Sequence, residues 1–174
     1  YKNFTYSVAW IDCLAKGPSM GKSILLLGEH AKKEELKNTN DTLSLHKKAF
    51  LNVPFYLPSF TLNSFFIKIF NFLFYAKNIS KVQTTTIHYD PYFYPLDKIN
   101  NWNRIYGKKG FVQYQFVLPK ENSYEGVSKV LKILAENNLG SFLAVLKLFG
   151  KSHENRYLEF PIEGYTLAVD IKID

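Results

Sequence analysis

Hydrophobic and polar residues follow one another in short segments that predict strands along most of the chain. Residues 6–14 and 24–28 are rich in β-branched, aromatic and leucine side chains and predict two adjacent strands. Residues 84–89 have a strand-like composition, and two prolines are expected to hold the aromatic cluster at 90–95 extended. Three further strands are predicted at residues 110–118, 141–149 and 164–173.

Three segments predict helices, and two of them have recognisable signals at their ends. A capping box at Asn122 and Glu125 precedes a helix with an apolar stripe of Val127, Val130, Leu131 and Leu134. A short helix at residues 102–106 is predicted to be capped by Asp97 and closed by Gly107.

The longest apolar segment, residues 60–75, is interrupted by Asn63, Lys68 and Asn71, and is a poor candidate for a membrane span. One interpretation is a helix largely buried in the domain. The other is an aromatic helix near a lipid surface or a lipid-tailed substrate, because Lys68, Lys77 and Lys81 accompany it.

These elements predict an α+β domain. Strands and helices are mixed without a βαβ repeat, which favours a mostly antiparallel sheet with helices packed on one face. The length of 174 residues indicates one domain over residues 1–174. The chain lacks an initiator methionine and ends in a strand-like pattern, so we expect it to be a piece of a longer protein.

Residues 15–23, AKGPSMGKS, come close to two functional motifs. They resemble a nucleophile elbow and a phosphate-binding loop, but the second motif is one residue short and both need a following helix. Because a second strand follows instead, we expect a hairpin connection with no catalytic role.

The formal net charge of +7 raises the possibility of a nucleic-acid partner. The lysines are scattered, however, and residues 109–116 depart from an RNA-binding pattern because Gln113 replaces a stacking aromatic residue. We therefore expect no nucleic acid, and keep a non-catalytic basic module that binds an anionic ligand or RNA as the alternative. One cysteine and four separated histidines predict no metal site.

Polar residues on otherwise apolar strands are the strongest candidates for functional residues. Period two places Gln113 and Gln115 on one face of their strand, and Lys147 interrupts an otherwise apolar strand. Thr166, Ala168 and Asp170 share a face in the last strand. If these strands are neighbours, Gln115, Lys147 and Thr166 form a patch that could bind a polyhydroxy or phosphorylated ligand, and the alternative is a solvated sheet face.

Seven blocks of the sequence together resemble FAD-linked oxidoreductases of the decaprenylphosphoryl-ribose oxidase family, in the vanillyl-alcohol-oxidase superfamily. The blocks run in order along nearly the whole chain, so their combination is more specific than any single motif. They are YSVAWIDC from Tyr6, LGEHA from Leu27, HYDPYFYPLD from His88, WNRIYG from Trp102, GFVQYQFVLP from Gly110, SFLAVLKLFG from Ser141 and FPIEGY from Phe160.

The resemblance implies that the chain is the substrate-binding, or cap, domain of a two-domain flavoprotein, incomplete at its C-terminal end, with the FAD-binding domain absent from this chain. It places Gln115 and Lys147 beside substrate and flavin, and Thr166 and Ala168 where actinobacterial members have asparagine and cysteine. The family's catalytic lysine has no counterpart here. We therefore expect no catalytic residue in this piece, no useful FAD affinity and no activity on its own.

The resemblance also implies a reaction and its participants. The parent enzyme would oxidise a CH–OH group of a sugar-like secondary alcohol by hydride transfer to FAD. Its substrate would be a small molecule or a polyprenyl-phosphate-linked sugar used as a cell-wall polysaccharide precursor, and a reductase is a candidate partner. A cytoplasmic location with peripheral membrane contact is expected.

Overall fold

The computed structural model describes residues 4–36, 49, 51–78, 80–151, 160 and 162–173. Within these ranges the strands are β1 (Tyr6–Ile11), β2 (Ser23–Gly28), β3 (Leu51–Asn52), β4 (Ile99–Asn100), β5 (Phe111–Pro119), β6 (Ala144–Phe149) and β7 (Gly164–Lys172). The α-helices are α1 (Ser64–Ala76), α2 (Tyr89–Phe93) and α3 (Lys120–Glu136). Short 3₁₀ helices occupy Gly17–Ser19, Lys33–Glu35, Ser59–Thr61 and Trp102–Tyr106.

Five strands form one antiparallel sheet in the order β2-β1-β6-β7-β5. The short strands β3 and β4 pair separately and in parallel. This arrangement confirms the predicted α+β class and its mostly antiparallel sheet.

Helix α3 packs on one face of the sheet and forms the core with it. Its residues Val127, Leu131 and Leu134 are buried, and Val130 packs beside them, as the apolar stripe predicts. Their partners are Ile11, Cys13, Ala144, Leu167 and Val169. Because side chains alternate across a strand, these positions also identify the residues that point to the opposite face.

The start of α3 differs from the prediction. The helix begins at Lys120, directly after β5, so a capping box at Asn122 is wrong. The Ser123 hydroxyl lies within the first turn and is within hydrogen-bond distance of the Leu118 and Pro119 carbonyl oxygens, at 2.9 and 2.6 Å. These hydrogen bonds to preceding carbonyl oxygens place Ser123 inside the first turn of the helix, whereas the sequence pattern predicted that the helix would begin after a cap at Asn122.

Helix α1 packs near the end of β1 and the start of β6, where Phe74 contacts Trp10 and Phe70 contacts Phe142. Asn63 caps it by accepting hydrogen bonds from the Phe65 and Phe66 amides, both at 3.0 Å. Only Ile67 and Asn71 of the helix are buried. The expectation that this segment is largely buried is therefore wrong, because α1 contacts the rest of the described chain along one narrow stripe.

Two other segments also differ from their predictions. Residues 84–88 contain no strand, and the aromatic cluster is helical because His88 caps α2 and Pro91 lies in its first turn, where proline is tolerated. The helix Trp102–Tyr106 is confirmed in position and is closed by Gly107 at a φ of 80°. Its N-cap is Asn101 rather than Asp97.

The connection between β1 and β2 is a hairpin, as predicted. The strands pair from Tyr6 opposite Gly28 to Ile11 opposite Ser23, and the Asp12 amide donates to the Lys22 carbonyl at 2.8 Å. Gly17 and Gly21 have positive φ angles, which suits glycine in a tight loop. After β2 the chain is described to residue 36 and contains a single 3₁₀ turn at Lys33–Glu35.

Candidate functional site

The sequence-predicted polar residues lie together on the face of the sheet opposite α3, which we call the open face. It carries Val8, Trp10, Gln113, Gln115, Val145, Lys147, Thr166, Ala168 and Asp170. The register places Lys147 opposite Thr166, and Ala168 opposite both Val145 and Gln115. Directly opposed side chains in antiparallel strands are near neighbours, so β5, β6 and β7 bring the four predicted site residues into one patch.

Gln115 and Thr166 are joined by a hydrogen bond across the strands. The Gln115 Nε2 atom donates to Thr166 Oγ1 at 3.0 Å, and that hydroxyl donates to the Phe116 carbonyl at 2.7 Å. Thr166 is only 1% exposed, whereas Gln115 is exposed. Thr166 therefore orients the amide of Gln115, and the Oε1 atom of that amide remains available to accept a hydrogen bond from a ligand.

Lys147 lies beside this pair with its side chain exposed. Its neighbour on the other side is Val8 of β1. A lysine in an apolar strand needs a partner or an anionic ligand if its ammonium is buried, and Lys147 is not buried. An exposed cation in a row of apolar and hydroxyl neighbours is instead free to meet an anionic or oxygen-rich ligand.

A second polar network lies further along the same face. The buried Asp170 carboxylate accepts hydrogen bonds from Gln113 Nε2 at 2.8 Å and from the Tyr106 hydroxyl at 3.2 Å. Burial raises the pKa of the Asp170 carboxyl, and the hydrogen bonds from Gln113 and Tyr106 oppose part of that rise. Burial, followed by the neighbouring Asp170 charge, raises the pKa of the Tyr106 hydroxyl, which stays a donor at neutral pH.

Aromatic residues cover this end of the open face. Tyr106 stacks on Phe111 and Phe142, with ring centroids 4.2 and 5.4 Å apart. The Trp10 indole donates to the Phe142 carbonyl at 3.2 Å and packs against Phe74 of α1. The open face is thus closed at the Asp170 end and accessible at the Lys147 end.

A shallow apolar groove of about 190 Å³ is lined by strand residues and does not coincide with this polar patch. Most of its lining points to the α3 side of the sheet, including Ala9, Leu25, Leu146 and Leu148, and Lys147 only borders it. Its volume is below the roughly 300–1,000 Å³ usual for small-molecule pockets. The groove is therefore a weaker candidate for a ligand site than the polar patch on the open face.

Sequence reasoning missed the network around Asp170. Alternation placed Gln113 beside Gln115 and Asp170 beside Thr166, but it did not show that Gln113 and Asp170 are opposed. Tyr106 comes from a separate segment, and no local pattern connects it with β7. Strand register, rather than composition, is the signal that pairs them.

These features define an α+β domain with a helix-covered face and a polar, ligand-accessible face. Comparison with models of known protein families finds no match. Among curated proteins, the chain is similar to decaprenylphosphoryl-β-D-ribose oxidase of Mycolicibacterium smegmatis, with 37% identity over 176 residues. The match covers 98% of this chain and 37% of that oxidase.

The comparison confirms the resemblance to decaprenylphosphoryl-ribose oxidases over nearly the whole chain. The chain spans little more than a third of the length of that relative.

Proposed function

We propose that this chain is the substrate-binding, or cap, domain of an FAD-dependent oxidoreductase that oxidises a sugar-like secondary alcohol. The observation that carries the proposal is the patch of Lys147, Gln115 and Thr166 on the accessible end of the open face. The similarity to a protein whose name describes an oxidase of a polyprenylphosphoryl sugar supports the class of reaction and of substrate.

The residues of the patch suit a flavin and a sugar better than they suit a whole dinucleotide. An exposed ammonium and an oriented amide can form hydrogen bonds with the polar edge of a ring system or with several hydroxyl groups. The chain contains no G-x-G-x-x-G fingerprint, and the family resemblance assigns the nucleotide part of FAD to another domain. When bound over this face, the flavin would supply the hydride acceptor for the alcohol carbon.

Each residue of the patch has a distinct proposed task. The Lys147 ammonium would donate to a substrate oxygen or to the flavin's polar edge, while Gln115 Oε1 would accept from a substrate hydroxyl. Thr166 acts through Gln115 and is a positioning residue, because its own hydroxyl is buried and already bonded. Ala168, with one methyl group between Val145 and Gln115, leaves space for a ring to approach the sheet.

The test is Lys147→Met in the full-length protein, which keeps the apolar stem and deletes the charge. A lost charge-assisted hydrogen bond of about 1.5–3 kcal/mol corresponds to a fall in kcat/KM of roughly ten- to a hundredfold. We expect the visible flavin spectrum and Tm to be retained. Anaerobic reduction of the flavin by a polyprenylphosphoryl pentose measures the effect directly.

The matched control is Lys132→Met, which removes an exposed lysine on α3, away from the open face. It should leave kcat/KM unchanged. If Lys147→Met lowers Tm while activity per folded molecule stays normal, the lysine has a structural role only. A full-length protein that binds no flavin would overturn the oxidoreductase proposal and favour the basic ligand-binding module.

A further inference from the structure

The outward face of α1 is apolar, which is unusual for a helix that borders solvent. Phe65 is 65% exposed, Phe72 is 64% exposed and Leu73 is 61% exposed, and Ile69 lies between them. At 100° per residue these positions share the side opposite the buried Ile67 and Asn71. A surface helix normally places its polar residues there. The face is therefore suited to an apolar environment that the described part of the chain does not provide.

The charged residues carried by α1 and by the chain on either side of it are basic. The sequence contains no aspartate or glutamate between Asp41 and Asp90. Lys68 and Lys77 are exposed, as is Lys81 beyond the helix end, and within the described residues no ion pair involves them. This surface is complementary to an anionic partner.

The hairpin loop adds a further cation to the same region. Lys22 lies over the ring of Tyr75, with its Nζ atom 3.9 Å from the ring centroid. Lys22 therefore lies against α1, which itself carries Lys68, so aromatic side chains and cations occur together around this helix, as in helices that lie in a membrane interface.

The size of the helix fits a position in the plane of the interface. Within the described residues no helix is long and apolar enough to cross a membrane. Phenylalanine and leucine can enter the boundary between headgroups and acyl chains, while lysine stems extend along the apolar surface and keep their ammonium groups in water.

We propose that α1 docks the protein on an anionic lipid bilayer. The outward residues Phe65, Ile69, Phe72 and Leu73 enter the interface, and Lys68, Lys77 and Lys81 meet anionic headgroups. The partner is a bilayer rather than another protein surface because an apolar helix face and unopposed positive charge occur together over one continuous segment.

The position of α1 also suits delivery of a lipid-linked substrate, and this part of the inference rests on the proposed function. Trp10 packs on α1 and lies two residues along β1 from Val8, the register partner of Lys147. That separation is roughly 7 Å at the usual rise of a strand. Docking through α1 would therefore hold the open face close to the bilayer, within reach of a sugar whose polyprenyl tail stays in the lipid.

The experiment measures co-sedimentation of the full-length protein with vesicles of phosphatidylcholine, with and without phosphatidylglycerol. The wild type is expected to bind the anionic vesicles more tightly, and added salt should weaken binding. The double substitution Phe65→Ser/Phe72→Ser should weaken it by about tenfold or more. Tyr124→Ser, at an 88% exposed aromatic on α3, is the matched control and should not change it.

Turnover separates this proposal from the proposed function. The double variant should slow oxidation of a vesicle-embedded polyprenylphosphoryl pentose and leave oxidation of a water-soluble short-chain analogue unchanged. Vesicle binding without turnover of either substrate would contradict the proposed function and leave docking standing. A lower Tm in the double variant, together with no vesicle binding by the wild type, would show that another part of the full-length protein packs on α1. That result would overturn docking.

Discussion

Helices α1 and α3 contact the same sheet, yet their apolar residues are arranged in opposite ways. In α3, Leu131 and Leu134 face the core, and the outer side carries an ion pair between Lys129 and Glu125 at 2.6 Å. In α1, a polar residue, Asn71, is among the most buried side chains at 1% exposed, while phenylalanines face outward.

The difference separates a helix that stabilises the domain from a helix that offers a surface. The α3 stripe is matched by apolar residues on four strands, β1, β5, β6 and β7, so its burial is completed within this chain. The outward face of α1 has no such counterpart among the described residues. A helix that is apolar nearly all round normally lies in a protein core or a membrane, so α1 indicates a surrounding that the fold itself lacks.

The strongest test of this comparison is Leu131→Ala in α3. Leu131 is buried among core side chains, so truncation should leave a cavity and lower the free energy of unfolding by about 2–5 kcal/mol. Phe72→Ala in α1 removes a larger but exposed side chain and should change it by about 0.5 kcal/mol or less. Urea denaturation of the 174-residue chain measures both. Equal losses would show that the two helices contribute alike to the domain.

The sequence predicted α3 well and α1 poorly for the same physical reason. Periodicity shows which residues lie on the same side of a helix. In α3 only one side is apolar, so the buried side is unambiguous. In α1 apolar residues occur on every side, and the inward side is selected by Asp12, Trp10 and Phe142, which are distant in the sequence. No local pattern contains that information.

The candidate site shows the same limit. Alternation correctly grouped the polar residues of β5 and β7, and the bounds predicted for β5, β6 and β7 agree with the structure to within about three residues. That Lys147 lies beside Thr166 depends on β6 pairing with β7, which alternation alone does not determine. The role of the patch beside substrate and flavin stays a prediction.

A sharper test concerns the polar anchor of α1. The Asn71 Nδ2 atom donates to Asp12 Oδ1 at 2.7 Å, which ties the helix to the end of β1. Asn71→Asp keeps the size of the side chain and replaces that donor by a second carboxylate. Losing a hydrogen bond to a charged group should cost about 1.5–3 kcal/mol at neutral pH.

The pH dependence of that cost gives the control. Repulsion between the two carboxylates raises the pKa of the introduced carboxyl in the folded state, so the folded protein binds a proton more tightly than the unfolded chain does. Stability of the variant should then fall as the pH rises from the ordinary carboxyl pKa to the raised one, and recover on acidification. Asn71→Ala lacks the new acid and should show no such recovery. Equal pH profiles for the two variants would contradict the anchor.

The smallest expected effect concerns the outer side of α3. Lys129 and Glu125 are separated by one helical turn, and both side chains are more than two-thirds exposed. An exposed pair of this kind contributes about 0.5 kcal/mol or less, because solvent screens the charges and ordering two long side chains costs entropy. Lys129→Ala should therefore change the free energy of unfolding by no more than that amount, since alanine's helix propensity offsets part of the lost attraction. Urea denaturation at low and high salt checks this, and a salt-insensitive loss above about 1 kcal/mol would mean that the outer side of α3, like that of α1, contacts something beyond solvent.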